Sequence, residues 1–388
     1  MVEPKINSTN HLQTPALAAV ALDQTGPLQI ETVLLDAPGP HEVLVDVGAC
    51  GLCFTDLEAQ AHLLAPPMVL GHEGVGRVRA IGSEVRSVRI GDRVVMSYPS
   101  CGHCAACARN TPFHCEDIMA LKFSGHRADG SSPVYLGDRR LTSAFFQQSS
   151  LATVAVTTER NLVLIDGDEP DWLLAALPCG VMTGAGAVVN ALAVRKGESL
   201  LVTGAGAVGL AAVMTARRVG AGRITVVDRH ASRLDLAREL GADDAACVPA
   251  NELPAALHEL YPHGADTALD TTGQMVCIGA LFTTLRRGGR CALVTVPSGL
   301  VDAYPMETVF ERALTLHNVL VGNAVAAELI PQLLQWQRMG SFPVERLITR
   351  FAFGQVNEAV AAMRSGKVIK PVIEMPSSPP STFFPRSE

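Results

Sequence analysis

The sequence predicts an α/β protein in which a β-rich unit is followed by a doubly wound parallel-sheet unit. The first observation is a glycine-punctuated series of strand-like runs, EVLVDVGACGL, EGVGRVRAIG and VRIGDRVVMS, typical of all-β or barrel-like units. The second is an alternation of short apolar strands and apolar helices between residues 184 and 323, typical of βαβ units around a parallel sheet. The third is length, because 388 residues suffice for two domains.

Composition places the chain among globular proteins. The apolar fraction is 48% and the charged fraction 18%, which suits a packed core. The net charge of −7 argues against a nucleic-acid partner or an anionic membrane surface. No apolar run approaches the roughly 18 to 20 residues of a spanning helix, and the N-terminus does not read as a signal peptide. We therefore expect a cytoplasmic protein whose thiols stay reduced.

The β-rich unit carries CGHCAACARNTPFHC, a segment with four cysteines in a C-x2-C-x2-C-x7-C pattern. Disulfides, a metal ion, an iron–sulfur cluster and unliganded buried thiols are the alternatives. A reducing compartment favours metal over disulfides, and the polar character of the segment argues against buried thiols. Zinc accepts four thiolates in a tetrahedron, and the long last spacing makes an iron–sulfur cluster the weaker choice. The candidate ligands are Cys101, Cys104, Cys107 and Cys115.

The second unit opens with SLLVTGAGAVGLAAV, a short apolar strand that enters a glycine-rich turn and then an Ala-rich helix. Gly204 permits the tight turn, Gly206 lets the backbone approach a pyrophosphate, and Gly209 allows helix and strand to pack closely. The free N–H groups of the helix start suit phosphate. The pattern predicts a dinucleotide site.

A second strand, RITVVD, ends at Asp228, nineteen residues after Gly209. A carboxylate there accepts hydrogen bonds from ribose hydroxyls and repels a 2′-phosphate, which favours NAD over NADP. Arg229 and Arg233 follow closely, so the strictness of this preference stays open, and Arg233 is itself a candidate cofactor contact. The alternative is that Asp228 only caps the next helix.

Three further segments of the chain carry metal-binding residue types. GLCFTD holds Cys53, GHEG holds His72 and Glu73, and LPCG holds Cys179. Taken singly, a cysteine or histidine is more often a packing residue. Taken together, Cys, His and Cys form a catalytic zinc set that leaves one coordination position open.

These motifs together resemble the zinc-dependent alcohol dehydrogenases of the medium-chain dehydrogenase/reductase superfamily. GHEGVGRV, the four-cysteine lobe, C-x-T-D and GAGAVG appear in that family's order over nearly the whole chain. DGSSPVYLGDRRLTSAFFQQSSLATVAV and PCGVMTGAGAVVN look most like the benzyl (aryl) alcohol dehydrogenase branch. The resemblance implies a GroES-like β-rich catalytic domain and a Rossmann cofactor domain. The implied ranges are 1–180 for the catalytic domain with its structural zinc lobe, 181–323 for the cofactor domain, 324–375 for a return to the catalytic domain, and 376–388 for a disordered tail.

The resemblance also implies roles for single residues. It makes Cys53, His72 and Cys179 the ligands of a catalytic zinc, and the four-cysteine lobe the site of a structural zinc. Asp56 is expected to orient the zinc-bound imidazole, as carboxylates beside metal ligands do.

Further roles concern the proton, the cofactor and the metal's surroundings. Glu73 is expected close to the zinc, and Thr55 is expected to receive the alcohol proton. Thr183 is expected to pack against the nicotinamide, and Lys370 to contact the pyrophosphate.

Two positions depart from the family pattern. Phe54 stands where many relatives have a His or Arg beside the pyrophosphate, so cofactor affinity or release could differ. Glu58 stands where many have a His that ends the proton relay; either Glu58 accepts the proton, or water does and Glu58 has no role. Among the remaining cysteines, Cys50 is expected to be a buried strand thiol, and the cofactor-domain cysteines are expected in the core: Cys247, Cys277 and Cys291.

The implied reaction is oxidation of a primary alcohol, aryl or allylic, to the aldehyde, with NAD as hydride acceptor. Alternatives are an aldehyde reductase in biosynthesis, a dehydrogenase of thiol adducts (hemithioacetals), or a non-catalytic relative that binds zinc and cofactor. The expected partners are a small-molecule alcohol or aldehyde and further copies of the chain, as a homodimer or homotetramer. Some apolar residues could line the substrate pocket or simply belong to the core: Met96, Phe123, Phe145 and Phe146.

Overall fold

The computed structural model describes residues 13–127, 129–249, 251–296 and 305–376. In these ranges the strands form three sheets, two built mainly from the first half of the chain and one from its middle. The tail expected to be disordered, 376–388, lies outside the described residues apart from Pro376.

The first sheet is a mainly antiparallel meander with the order β4-β1-β2-β7-β8. Its longest pairing joins β1 and β2 over their full lengths, from Thr14 opposite Leu35 to Ala21 opposite Leu28. The alternation of apolar and polar residues along β2 gives it one core face and one exposed face. The strands are β1 (Thr14–Ala21), β2 (Leu28–Leu35), β4 (Met68–Val69), β7 (Val134–Leu136) and β8 (Arg139–Arg140).

The second sheet has the order β10-β6-β5-β3-β18-β17, and β9 also pairs with β3. Irregularities in the pairing of β3 with β5 bend this sheet near the residues that precede Cys53. The strands β17 and β18 come from the C-terminal end of the described chain, and β18 pairs with β3. The strands are β3 (Glu42–Gly51), β5 (Gly74–Ile81), β6 (Arg93–Met96), β9 (Val154–Thr158), β10 (Leu162–Leu164), β17 (Ile348–Ala352) and β18 (Lys370–Glu374).

The third sheet is parallel throughout, with the order β13-β12-β11-β14-β15-β16. This is the doubly wound order in which the first strand lies at the centre and the direction of winding reverses beside it. The predicted fold class is thereby confirmed. The strands are β11 (Ser199–Thr203), β12 (Arg223–Val227), β13 (Asp244–Ala246), β14 (Ala265–Asp270), β15 (Leu285–Leu293) and β16 (Thr315–Asn318).

Helices cover the parallel sheet and close the loops of the β-rich part. α6 ends at Gly220, whose φ of 83° gives a left-handed cap. The helices are α1 (Phe54–Glu58), α2 (Ala105–Ala108), α3 (Ile118–Phe123), α4 (Asp171–Leu174), α5 (Met182–Gly186), α6 (Ala207–Val219), α7 (Ala231–Glu239), α8 (Leu253–Leu260), α9 (Met275–Thr284), α10 (Met306–Glu311), α11 (Ala326–Arg338) and α12 (Val356–Arg364).

Wider π turns interrupt the helical structure at three places: Ala59–Leu63, Leu177–Val181 and Ala187–Ala191. Two of them lie in one nearly continuous helical run, Asp171–Ala191, with mean hydropathy 1.7. By length and composition this run could span a membrane, so the expectation that no apolar run reaches such a length is wrong. However, 83% of its most apolar window is buried inside the protein, as in the core helix of a globular protein.

The cysteines outside the two clusters divide between core and surface. Cys50 is buried on β3, and Cys277 and Cys291 are buried in the parallel-sheet unit, as expected. Cys247 is exposed, so its prediction as a core residue is wrong. It follows β13, the outermost strand on its side of the sheet, where its thiol lies 3.6 Å from the carbonyl oxygen of Arg229.

Candidate active site

Three separate segments bring the predicted catalytic ligands together. Cys53 follows β3 and precedes α1, His72 lies between β4 and β5, and Cys179 lies in the π turn Leu177–Val181. The Sγ atoms of Cys53 and Cys179 are 4.0 Å apart. One ligand atom from each of these residues and from Glu73 lies within 4.8 Å of all the others. The cluster is therefore compact enough to hold one metal ion.

The imidazole of His72 is oriented by Asp56. Its Nδ1 lies 3.0 Å from Oδ1 of Asp56, and both side chains are 1% exposed. The same carboxylate accepts hydrogen bonds from the backbone N–H groups of Gly71 and Cys53, at 3.0 and 2.9 Å. The Nε2 atom of His72 is buried without a hydrogen-bond partner. With Nδ1 donating to Asp56, Nε2 is the ring nitrogen that faces the two thiols, where a zinc ion would take the place of a proton.

The electrostatics of the cluster favour a cation. The hydrogen bond from the Cys179 thiol, against the effect of burial, holds the pKa of Cys53 well below its usual range, and the pKa of Cys179 is raised in turn. Burial acts to lower the pKa of His72, but Asp56 and Cys53 outweigh it and raise that pKa to about 10. The two thiols and the imidazole thus shift one another's pKa values, and together they match the donor set of zinc.

Behind this cluster, Glu73 and Lys370 form a fully buried ion pair. Lys370 also donates a hydrogen bond to the carbonyl oxygen of Leu52 at 3.1 Å. Burial raises the pKa of Glu73 to about 7, against the opposing pull of the Lys370 ammonium. The structure thus places Lys370 beside the metal cluster, and its expected contact with a pyrophosphate stays a prediction.

The two residues expected to move the alcohol proton differ in their surroundings. The Oγ1 atom of Thr55 lies 3.6 Å from Sγ of Cys53, at the edge of the cluster. Glu58, one turn later on α1, is exposed. Among the described residues its carboxylate has no hydrogen bond or ion pair, so the structure does not join it to Thr55.

A positioning residue that the sequence did not reveal is Gln148. Its amide donates hydrogen bonds to the carbonyl oxygens of His72 and Ser97, at 3.0 and 2.9 Å. Its carbonyl oxygen accepts from the N–H of Gly74 at 3.2 Å. The backbone around it has positive φ at Phe146, Gln147 and Ser149, a strained geometry typical of functional sites. These hydrogen bonds fix the backbone at His72 and at Gly74. The run of polar residues in this loop does not indicate that role in the sequence.

The four cysteines of the predicted structural lobe also converge. Their Sγ atoms all lie within 4.8 Å of one another, and all ten cysteines of the chain are free thiols, so the disulfide alternative is not realised. Backbone N–H groups of Cys101 and Cys104 point at Sγ atoms of Cys115 and Cys101, at 3.2 and 3.4 Å. N–H donors of this kind stabilise thiolates, and four thiolates at this spacing fit a tetrahedral zinc.

The predicted dinucleotide turn joins β11 to α6. Gly204 has φ of 95°, and a Cβ at Gly209 would lie 1.9 Å from the carbonyl oxygen of Gly204, so close packing of helix and strand requires glycine there. A Cβ at Gly206 would meet no atom within 4 Å. Gly206 therefore faces open space at the N-terminus of a 13-residue helix, where free N–H groups suit a pyrophosphate.

Asp228 lies beside this turn at the end of β12. Its carboxylate accepts hydrogen bonds from the N–H groups of Ala205 and His230, both at 2.7 Å. Arg233 donates to the carbonyl oxygen of Gly366 at 3.1 Å, while its Nε is buried without a partner. Thr183 is buried on α5, which approaches α6 so closely that a Cβ at Gly184 would lie 2.0 Å from a backbone oxygen of α6. These placements are compatible with the expected cofactor contacts.

Known proteins match this chain in sequence and in fold over most of its length. The family model for the alcohol dehydrogenase GroES-like domain matches residues 39–166, and that for zinc-binding dehydrogenases matches residues 207–337. The geraniol dehydrogenase of Castellaniella defragrans is 41% identical over 364 residues, covering 92% of this chain and 97% of its own.

Two solved structures agree over almost the whole chain. An alcohol dehydrogenase zinc-binding domain protein from Burkholderia ambifaria has a TM-score of 0.90 at 39% identity, covering 94% of this chain and 100% of its own. The benzyl alcohol dehydrogenase of Acinetobacter calcoaceticus has a TM-score of 0.88 at 34% identity, with the same coverage. Together with the ligand set and the dinucleotide turn, these likenesses show that the chain belongs to the zinc-dependent alcohol dehydrogenases of the medium-chain dehydrogenase/reductase superfamily.

Proposed function

We propose that this enzyme oxidises a primary alcohol, aryl or allylic, to the corresponding aldehyde with NAD as the hydride acceptor. The observation that carries the proposal is the convergence of Cys53, His72 and Cys179 beside Thr55, in a chain that also holds an open dinucleotide turn. The substrate class is supported by the names of two relatives, a geraniol dehydrogenase and a benzyl alcohol dehydrogenase.

The described side chains divide the work of this reaction. When bound, zinc polarises the alcohol oxygen and NAD accepts the hydride. Cys53, His72 and Cys179 would hold the metal, and Asp56 keeps Nε2 of His72 facing it. Thr55 would accept the alcohol proton through Oγ1.

The cofactor would lie along the glycine turn. Its pyrophosphate would face Gly206 and the N-terminus of α6, and its adenosine ribose would face Asp228, with Arg233 nearby. Thr183 would pack against the nicotinamide, and Lys370 would contact the pyrophosphate only by leaving part of its pairing with Glu73.

We also propose two zinc ions per chain, the second bound by the four-cysteine lobe. A homodimer or homotetramer and a cytoplasmic location complete the proposal. None of the ten cysteines forms a disulfide, which supports a reducing compartment.

The deciding experiment follows NADH formation by the purified enzyme with benzyl, cinnamyl, geranyl and short aliphatic alcohols, with NADP in parallel. Zinc content of the same sample is measured by mass spectrometry, and subunit number by light scattering. We expect NAD-dependent turnover of the aryl or allylic alcohols and two zincs per chain. Two zincs without turnover of any alcohol, or turnover that requires an added thiol, would contradict the proposed reaction while leaving the metal sites standing.

A further inference from the structure

A buried lysine near the metal cluster lacks a hydrogen-bonding or charged partner among the residues that the structure describes. Lys122 lies on α3 and is only 8% exposed. Its Nζ is 4.8 Å from the ring centroid of Phe146 and 5.1 Å from that of Phe123. Within the described ranges of the chain, it makes no hydrogen bond or ion pair. Lysines are almost never this buried without a paired group.

The lysine side chain faces the catalytic cluster. The ring of Phe146 that lies beneath its ammonium also stacks on His72, with centroids 4.4 Å apart and planes at 27°. The distance from the ammonium to the centre of the imidazole ring therefore cannot exceed the sum of these two separations. Other residues of the same segment, Ala120 and Leu121, line a wide cleft on the outer side of α3, and Lys122 does not. One aromatic ring thus separates the ammonium from a metal ligand.

Two electrostatic effects act on this ammonium. Burial lowers the pKa of Lys122, and the Cys179 and Cys53 thiols oppose that effect, which agrees with a position near the cluster. The aromatic faces of Phe123 and Phe146 attract the cation but accept no conventional hydrogen bond. Nζ is not among the fully enclosed polar atoms without partners, so it keeps some contact with open space.

We propose that Lys122 is a substrate-recognition residue whose ammonium binds an acceptor oxygen, above all a carboxylate, on the end of the alcohol substrate remote from its hydroxyl group. This inference rests on the proposed function and narrows its substrate class. A substrate built on one aromatic ring carries its alcohol group at one end and the acceptor oxygen at the other. Such a molecule can place the alcohol at the metal position and the acceptor oxygen at Lys122. The flanking Phe123 and Phe146 would pack on the hydrocarbon part, and the ammonium would satisfy the distal oxygen. The buried cation would then have the counter-charge that the protein itself does not supply.

The test compares benzyl alcohol, 4-methoxybenzyl alcohol and 4-(hydroxymethyl)benzoate as substrates of the zinc-loaded enzyme. Lys122→Met keeps most of the side-chain volume and removes the charge, Lys122→Arg keeps the charge, and Lys196→Met changes an exposed lysine as the matched control. For Lys122→Met we expect kcat/KM to fall about 10- to 100-fold with the carboxylate, because hydrogen bonds to charged groups are strong. The loss should lie mainly in KM, be smaller with the methoxy compound, and be absent with benzyl alcohol. Lys122→Arg should retain a preference for the carboxylate.

Equal losses with all three alcohols would overturn the proposal and make Lys122 a structural residue. An unchanged kcat/KM for the carboxylate would overturn it as well. Calorimetric binding of benzyl alcohol and 4-(hydroxymethyl)benzoate provides a readout that does not depend on turnover. If the wild-type enzyme oxidises no alcohol, the proposed function fails, but tighter binding of the carboxylate that Lys122→Met abolishes would still support the recognition site. Binding of the carboxylate no tighter than that of benzyl alcohol would contradict it.

Discussion

At His72, one carboxylate decides which ring nitrogen faces the metal. Asp56 accepts a hydrogen bond from Nδ1–H at 3.0 Å, and two backbone N–H groups in turn donate to Asp56. Asp56→Asn should weaken zinc affinity about 10- to 100-fold, as losses of such orienting partners do. Competition with a chromophoric chelator measures that affinity. Asp46→Asn, which removes a surface partner of Arg79, should leave it unchanged; an equal effect of both variants would contradict the assignment.

The ion pair of Glu73 and Lys370 leads to a second prediction, which concerns the stability of the protein. Lys370→Met leaves a carboxylate buried without its counter-charge, which costs about 3–5 kcal/mol of unfolding free energy. Urea unfolding of the zinc-loaded enzyme measures this loss. Adding Glu73→Gln to Lys370→Met should recover a large part of it, since no uncompensated charge then remains. Additive losses in the double variant would contradict the pairing.

Single residues also show where prediction from sequence ends. The convergence of the candidate zinc ligands could be predicted because the resemblance joined segments up to 126 positions apart, which spacing alone cannot do. Gln148 was missed because a buried amide bonded to backbone looks like any polar loop residue. The role of Lys122 could not be predicted, because a lysine outside any motif is normally exposed to solvent. Cys247 was placed wrongly because its apolar neighbours belong to an edge strand.

At the scale of elements, the turn between β11 and α6 contains one glycine that serves cofactor binding and another that serves the packing of helix on strand. Gly206→Ala should leave the melting temperature nearly unchanged, because a Cβ there meets no atom, but it should weaken NADH binding at least about 10-fold by blocking close approach of the pyrophosphate. Gly209→Ala should lower the melting temperature, because its Cβ would collide with the oxygen of Gly204. Fluorescence titration and thermal unfolding measure both effects. Normal NADH affinity in Gly206→Ala would show that the pyrophosphate lies elsewhere.

The four-cysteine lobe is an element for which we propose a stabilising zinc ion. Its helix α2 has four residues, of which Ala106 is the buried one, so little apolar surface stabilises it. Cys104→Ser should remove one zinc per chain and raise hydrogen exchange across residues 100–123. Cys247→Ser, at an exposed cysteine, is the matched control. A variant that keeps two zincs with unchanged exchange would refute a structural zinc in this lobe.

At the level of elements, the order of strands and helices was predictable from periodicity, and the strand order 3-2-1-4-5-6 follows once the glycine turn fixes the first strand. The π turns around Cys179 were not predictable. The turn at Cys179 contains Pro178, which has no backbone N–H to donate, and the helix α5 that follows packs tightly against α6 at Gly184. The same packing explains how a helical run of membrane-like composition lies inside the protein.

Across the whole molecule, contacts between the parallel-sheet unit and the β-rich part link cofactor binding to stability. Arg233 of the parallel-sheet unit donates to the carbonyl oxygen of Gly366 at 3.1 Å, and Glu239 of that unit forms an ion pair with Arg346. A ligand that binds only the folded state stabilises it by about 2.7 kcal/mol at a hundredfold excess over its Kd. Saturating NADH should therefore raise the melting temperature, and NADPH should do so less because of Asp228. An equal or larger shift with NADPH would contradict the proposed NAD preference.

Strand β18 has a further consequence, for synthesis of the protein on the ribosome. It pairs with β3, with Ile373 opposite Cys50 and Val372 opposite Gly51, so residues more than three hundred positions apart must meet. Such remote pairing is slow to form, and a nascent chain shorter than 370 residues lacks the partner of Ala49–Gly51 at the end of β3, although β9 already pairs with the start of that strand. The same incomplete chain lacks the counter-charge of Glu73. The parallel-sheet unit can thus close while translation continues, whereas the metal-binding part must wait for the last strand, and prematurely terminated chains are left with an open sheet edge that chaperones and proteases can engage.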